Sequence, residues 1–251
     1  MEDFMKITFL GTSHGVPAAD RHCSCAMIEV GENVYIFDAG APVVEGILKS
    51  GHAMDDLKAV FITHVHSDHT GNLFSLANLC SWFFRTTNVN FYIPEQRLWD
   101  GLLAYNKGTS DAPFASERLH DIVFDEDFVY DDGVLRVTPI PTKHLFKMNH
   151  PAYGFVIEGD GKRVLITGDM SQGLDYDDFP TVTFEEHFDI VVSELAHFDI
   201  EQMPFLDKIL CDKLIFWHIN KTDTKFPKIR ALQGTLPYDV LIVDDEDVLE
   251  V

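Results

Sequence analysis

The sequence predicts an α+β protein, a four-layer αββα sandwich in which two mixed sheets pack face to face with helices outside. Three observations predict it. About a dozen short runs rich in β-branched and aromatic residues recur along the chain. Stretches with apolar spacings of three and four, the mark of an amphipathic helix, lie between them. An Asp-Gly pair joins two of the runs as a tight turn.

Taken in order, the run 6–10 opens the first sheet, and 26–30 and 34–37 flank Gly31-Glu32-Asn33 as a hairpin. A helix over 43–49 follows, then a buried-looking strand over 59–63. Residues 73–84 read as a helix, and the strand 90–93 leads into a second helix at 95–105. The second half carries strands at 134–139, 153–158 and 163–167. The last two are joined by Gly159-Asp160-Gly161-Lys162, so 153–168 is expected to be a β-hairpin. Strands at 190–193, 214–217 and 240–243 alternate with helices at 203–210 and 227–232. No repeat, low-complexity tract or Ser/Gly-rich linker interrupts this order, so residues 1–251 are expected to form a single domain.

Composition narrows the function classes. With 41 acidic and 19 basic side chains the formal charge is −22, and 46% of the residues are apolar, 20 of them Phe. A chain this acidic repels polyanions over most of its surface, which disfavours a general nucleic-acid grip and favours small substrates. No apolar run reaches the roughly 18 to 20 residues that cross a bilayer, and Met1–Lys6 opens no signal segment, so a cytoplasmic protein is expected. Cys23, Cys25, Cys80 and Cys211 are too few and too scattered for a disulfide scaffold. The acidic runs at 125–127, 131–132, 175–178 and 244–247 read as solvated faces.

The sharpest feature is Thr63-His64-Val65-His66-Ser67-Asp68-His69-Thr70-Gly71-Asn72, directly after the strand at 59–63. If the chain leaves that strand extended, His64 and His66 point the same way, because side chains repeat every second residue. Asp68 and His69 then fall where the chain turns into the helix at Leu73 and aim at an adjacent point. Three imidazoles and a carboxylate within six residues destabilise one another once any ring is protonated, and a metal ion removes that conflict by taking neutral rings. Further donors are expected at strand ends, where His144, Asp169 and His218 stand. His64, His66 and His144 can hold one ion, Asp68, His69 and His218 another, with Asp169 between them. Imidazole and carboxylate donors suit Zn, Mn or Fe, with zinc first.

The block His64-Val65-His66-Ser67-Asp68-His69, followed by His144, Asp169 and His218, resembles the metallo-β-lactamase superfamily over nearly the whole chain. The resemblance implies the same αββα fold, with a dinuclear centre of two divalent ions at one edge between the sheets. It also gives Asp38 the role of orienting a ligating His from behind, where the residues alone suggest a turn former. His66 stands where flavodiiron relatives tend to carry Glu, which favours hydrolysis over redox chemistry.

The opening Thr8-Phe9-Leu10-Gly11-Thr12-Ser13-His14-Gly15-Val16-Pro17 resembles the branch of ribonuclease Z and the PhnP phosphodiesterase. That branch carries another histidine about twenty residues before the last ligand, and His197 precedes His218 by 21. The resemblance therefore makes His197 a catalytic candidate beside the scissile phosphate, with Glu194 to orient it; on the residues alone it is a surface histidine. Two departures matter. Ribonuclease Z carries a long basic arm between the ligands matching His144 and Asp169, whereas only 24 residues separate them here. The PhnP zinc site near the start is reduced to Cys23-Ser24-Cys25, whose two thiols complete a tetrahedral site only if His22 and a distant residue join them.

The expected activity is that of a dinuclear metal-dependent hydrolase, a phosphodiesterase acting on a small, possibly cyclic, phosphodiester through a metal-bridging hydroxide. Asp68 is expected to accept the water's proton, and His197 as imidazolium to serve the leaving alkoxide, so that the rate falls as pH rises through its pKa. The alternatives are hydrolysis of a thioester or lactone and, ranked lower, ribonuclease Z-like transfer-RNA processing. A metal-binding scaffold without turnover ranks below the enzymes. Homodimers are common in the branch. Arg85, Lys147 and His150 are candidate phosphate contacts, whereas Trp82 and Phe83 read as one face of a core helix.

Overall fold

Alternation decides the architecture, because a strand that buries both its faces must be covered twice. The computed structural model describes residues 4–109, 112–220 and 224–251. Met1–Asp3, part of the stretch read for a signal segment, lie outside them. The first sheet comprises β1 (Lys6–Gly11), β2 (Cys25–Val30), β3 (Asn33–Phe37), β4 (Leu57–Phe61), β5 (Val89–Ile93) and β6 (Leu119–Val123), together with β14 (Val248–Glu250). Its strand order is β14-β1-β2-β3-β4-β5-β6. The second sheet comprises β7 (Tyr130–Asp131), β8 (Leu135–Pro141), β9 (Tyr153–Gly159), β10 (Lys162–Ile166), β11 (Phe188–Glu194), β12 (Cys211–Trp217) and β13 (Asp239–Ile242), in order β13-β12-β11-β10-β9-β8-β7. Both sheets are mixed, as expected.

One side chain in two points into the space between the sheets. Phe9, Ile28, Phe37 and Phe61 meet Val137, Phe155, Ile166, Val192 and Trp217 there. The alternate residues face outward. Met27, Ile36 and Val60 pack under α1 (Val43–Lys49) and α3 (Leu73–Trp82), and Phe91 under Trp99 of α4 (Gln96–Thr109). Leu214 and Phe216 pack against Ile229 of α5 (Lys225–Leu232) on the other side. The layers are therefore helix, sheet, sheet, helix. The 153–168 hairpin is present, with Asp160 and Gly161 at φ 51° and 70°, the two left-handed residues that a type I′ turn requires.

Some expectations are corrected. Residues 203–210 form no α-helix; the chain makes short 3₁₀ turns at Ile200–Gln202 and Leu206–Lys208. Met203, Leu206 and Ile209 are nevertheless buried, because a spacing of three suits a 3₁₀ path. Trp82 and Phe83 are not core: they are 52% and 62% exposed. The buried stripe of α3 runs Leu73, Leu76, Ala77, Cys80, and both residues fall off it. The acidic runs are not all solvated either. Asp178 is 7% exposed, and Asp245, half-buried, accepts the Thr12 and His22 amides. No described helix is long and apolar enough to cross a membrane.

Candidate metal centre

Parallel pairing gives the molecule one functional edge. β3 runs parallel to β4, and β10, β11 and β12 run parallel to one another, while β8, two antiparallel steps from β10, shares its direction. Asp38, His64, His144, Asp169, His197 and His218 each follow the C-terminal end of one of these strands. After β4 the chain stays extended through His66 (φ −64°, ψ 149°) and then turns into α2 (Ser67–Thr70). That path puts His64 and His66 side by side, with ring centroids 4.7 Å apart, and brings Asp68 and His69 round to a second point. Gly40 makes the turn possible, since a Cβ there would lie 1.9 Å from the Asp68 carbonyl oxygen.

The donor atoms fall into two groups joined by one oxygen. His64, His66 and His144 offer nitrogens within 4.8 Å of one another, as do the donors of Asp68, His69, Asp169 and His218. Asp169 Oδ2 lies 3.4 Å from His69 Nε2 and His218 Nε2, and 3.8 Å from His64 Nε2 and His144 Nε2. Asp68 Oδ2 is 3.4 Å from His69 Nε2. The structure thus brings the seven candidate donors together, with Asp169 grouped with Asp68, His69 and His218 and also with His144 and His197.

Tautomers follow from what stands behind the rings. Asp38 Oδ2 lies 2.7 Å from His69 Nδ1, and a carboxylate only accepts, so the proton is on Nδ1 and the Nε2 lone pair faces the cluster. Thr63 Oγ1 donates to the same carboxylate and accepts from His64 Nδ1 at 3.0 Å, which orients His64 the same way. His144 Nδ1 donates to the Met170 carbonyl at 3.1 Å. Asp38 is thus the orienting residue expected of it, held in the left-handed region at φ 62°. His64 Nε2 and His69 Nε2 are buried without a hydrogen-bond partner. Aligned lone pairs of neutral rings, with carboxylates facing them, are the donor set that a divalent ion of the Zn, Mn or Fe type takes.

The charges agree. Burial pushes the pKa values of His64, His66, His144 and His218 below that of a free imidazole. Burial opposes ionisation of Asp68 and Asp169, but the neighbouring histidines overcome it and hold Asp169 well below the carboxylate range and Asp68 at about 2. His69 is the exception: burial opposes its charge, but Asp169 and Asp38 outweigh it and raise the ring, so an ion taken up there would displace a proton. His197 stands beside the cluster with Nδ1 3.8 Å from Asp169 Oδ2. Burial works against its charge, but Glu194, 3.1 Å away, pushes it up to about 9. Glu194 also accepts the amides of Met170, Ala196 and His197, so the carboxylate fixes both the turn and the ring.

Other candidates lie elsewhere or have other partners. Arg85 closes the end of α3 on the Trp82 carbonyl, Lys147 faces Asp175 at 4.0 Å, and His150 binds Glu95 at 3.1 Å. Cys23 and Cys25 are buried thiols raised by that burial, and none of the metal-capable clusters among the described residues includes them. The residue between them does matter: Ser24 Oγ lies 2.5 Å from His218 Nδ1. Sequence reading missed Ser24 because its partner is 194 positions away. Thr63, adjacent to the motif, carried a signal in its position only.

Two packed sheets with a split His/Asp cluster at one edge define a metallo-β-lactamase fold. The chain belongs to the Anti-Pycsar protein Apyc1 family, whose model matches residues 5–233. It is 30% identical to a ribonuclease Z of Synechococcus sp. over 159 residues, which cover 61% of this chain and 49% of the relative. A ribonuclease Z of Gloeothece citriformis is 33% identical over 155 residues, 61% of this chain and 46% of that one. The chain thus spans about half the length of the curated relatives it matches. Among solved structures, the metallo-beta-lactamase fold protein YhfI from Bacillus subtilis superposes with a TM-score of 0.77 at 18% identity, covering 99% of this chain and all of that one. Human tRNase Z, short form, gives 0.69 at 19% identity over 98% and 99% of the chains. A diphosphatase of the PhnP family gives 0.68 at 17% identity over 98% and 97%.

Proposed function

We propose that this chain, as one domain spanning residues 1–251, is a dinuclear metal-dependent phosphodiesterase acting on a small, possibly cyclic, phosphodiester. The observation that carries the reading is the Asp169 carboxylate standing between two histidine groups with the Glu194–His197 pair beside it. His64, His66 and His144 with Asp169 would hold one ion, and Asp68, His69 and His218 with Asp169 the other. When bound, such ions supply Lewis acidity and a water of lowered pKa. Asp68, whose carboxylate is held ionised, would accept the proton of the attacking water. His197 supplies a proton to the leaving alkoxide, and Glu194 keeps the ring aimed and charged. Two divalent ions held at this edge would let a protein of net charge −22 receive an anionic ester locally.

A ribonuclease Z-like role in transfer-RNA processing ranks lower. The residues between His144 and Asp169 are used by one 3₁₀ turn and the β9–β10 hairpin, which leaves no clamp for a polynucleotide. The test is hydrolysis of bis(p-nitrophenyl) phosphate against a thioester and a lactone by protein of measured metal content. Phosphodiester turnover that falls about 10²-fold or more in His197→Ala, with metal content unchanged, is expected. Turnover of carboxyl esters alone overturns the reading.

A further inference from the structure

Asp178 is 7% exposed, and its two oxygens are bound to two different turns. Oδ1 accepts the Lys143 amide at 2.7 Å, one residue before His144. Oδ2 accepts the Ser171 amide at 2.6 Å, two residues after Asp169. These turns leave β8 and β10, which are not neighbours in the sheet, because β9 lies between them. Ladder hydrogen bonds space the two strand ends only through β9, and no ladder bond joins the turns beyond them directly. Two further bonds cross the gap: Thr142 Oγ1 to the Asp169 carbonyl at 2.7 Å, and His144 Nδ1 to the Met170 carbonyl at 3.1 Å. Both come from the turns themselves, whereas Asp178 grips them from a third segment, and it is the charged member of the set.

We propose that Asp178 is a positioning residue for one ion of the pair, the one facing His64, His66, His144 and Asp169, and that it sets the approach of His144 to Asp169 by holding both backbones. The inference rests on the dinuclear reading of the site. His144 Nε2 and Asp169 Oδ2 stand 3.8 Å apart, a span that two ligands of one ion can share. Asparagine has the same shape but one accepting oxygen, so Asp178→Asn points an N–H group at the amide of Lys143 or Ser171 and releases that turn. The change should weaken the ion facing His144 more than the other, since the second ion shares only Asp169 with the two turns and keeps Asp68, His69 and His218, which are bonded to neither.

The experiment titrates metal-free protein with Zn²⁺ against a competing chromophoric chelator, for the wild type, Asp178→Asn, and Asp178→Asn combined with His66→Ala or with Asp68→Ala. One of the two ions is expected to bind about 10- to 100-fold more weakly in Asp178→Asn, the usual effect of losing an outer partner of a ligand. The further loss should appear with Asp68→Ala and be absent with His66→Ala, which already lacks the same ion. Unchanged affinities, or equal weakening of both ions, overturn the proposal. A wild type that takes up no zinc overturns the dinuclear reading instead. If Asp178→Asn fails to fold, Asp178→Glu keeps the charge and shifts both contacts by one methylene; wild-type affinities in that variant equally refute the assignment.

Discussion

Replacing Asp38 by Asn changes one atom and should weaken the binding of one metal ion. The carboxylate accepts from the Thr63 amide at 2.8 Å, from Thr63 Oγ1 at 2.9 and 3.0 Å on its two oxygens, and from His69 Nδ1 at 2.7 Å. An amide has a single oxygen. If that oxygen stays on the Thr63 amide, the new N–H group faces His69 Nδ1, which can accept only after moving its own proton to Nε2. The lone pair that faces Asp68 and Asp169 is then lost. Outer partners of metal-bound histidines are worth about 10- to 100-fold in affinity, or about 1.4 to 2.7 kcal/mol. Backbone strain does not confuse the result, since Asn tolerates the φ of 62° seen at this position. The assay is chelator competition with zinc, alongside urea unfolding of the metal-free protein. Affinity for both ions within twofold of the wild type would refute the argument that Asp38 sets the tautomer of His69.

Three further outcomes follow from named contacts. Ser24→Ala leaves His218 Nδ1 without its 2.5 Å partner and should weaken the ion facing Asp68 and His69 by about 10-fold, read by the same titration. Gly40→Ala drives a methyl group to 1.9 Å from the Asp68 carbonyl oxygen and should cost at least about 3 kcal/mol in urea unfolding. A loss below about 1 kcal/mol would show that the turn yields. Burial opposes ionisation of Asp132, but bonds from Leu135, Tyr35, Tyr130 and Val134 hold its pKa below the usual carboxylate value. Its stabilisation is therefore fully present above the unfolded pKa of about 3.9 and lost as pH falls through the lower folded value. Asp132→Asn should melt below the wild type at pH 7, and the gap should close as pH drops below about 4. A gap that is constant down to pH 2 would exclude that origin.

The sequence made most strands legible because their burial depends on their own residues. The cases it hid depended on partners. β6, with only Leu119 fully buried, is an edge strand whose His120 and Asp121 look like loop, and β7 is two residues long. β14 exists because Lys6–Thr8 offer a free edge to Val248–Glu250. The helix expected at 203–210 failed because spacings of three fit 3₁₀ turns as well as α-helices. At the site, the candidate donors announced themselves through short spacings and strand ends. Of the residues that orient them, Asp38 was reached through the family resemblance, and others were not reached at all. Ser24 and Asp178 meet their partners only after the chain folds, and an isolated Ser or an Asp in an acidic run carries no mark of it.

The most direct test is a crystal structure of zinc-loaded protein with anomalous data collected at the zinc edge. Two peaks per chain, about 3.5 to 4 Å apart, are expected, one against His64, His66 and His144, the other against Asp68, His69 and His218, with Asp169 touching both. A single peak, or peaks away from this edge of the sandwich, would contradict the dinuclear centre on which the proposed activity rests.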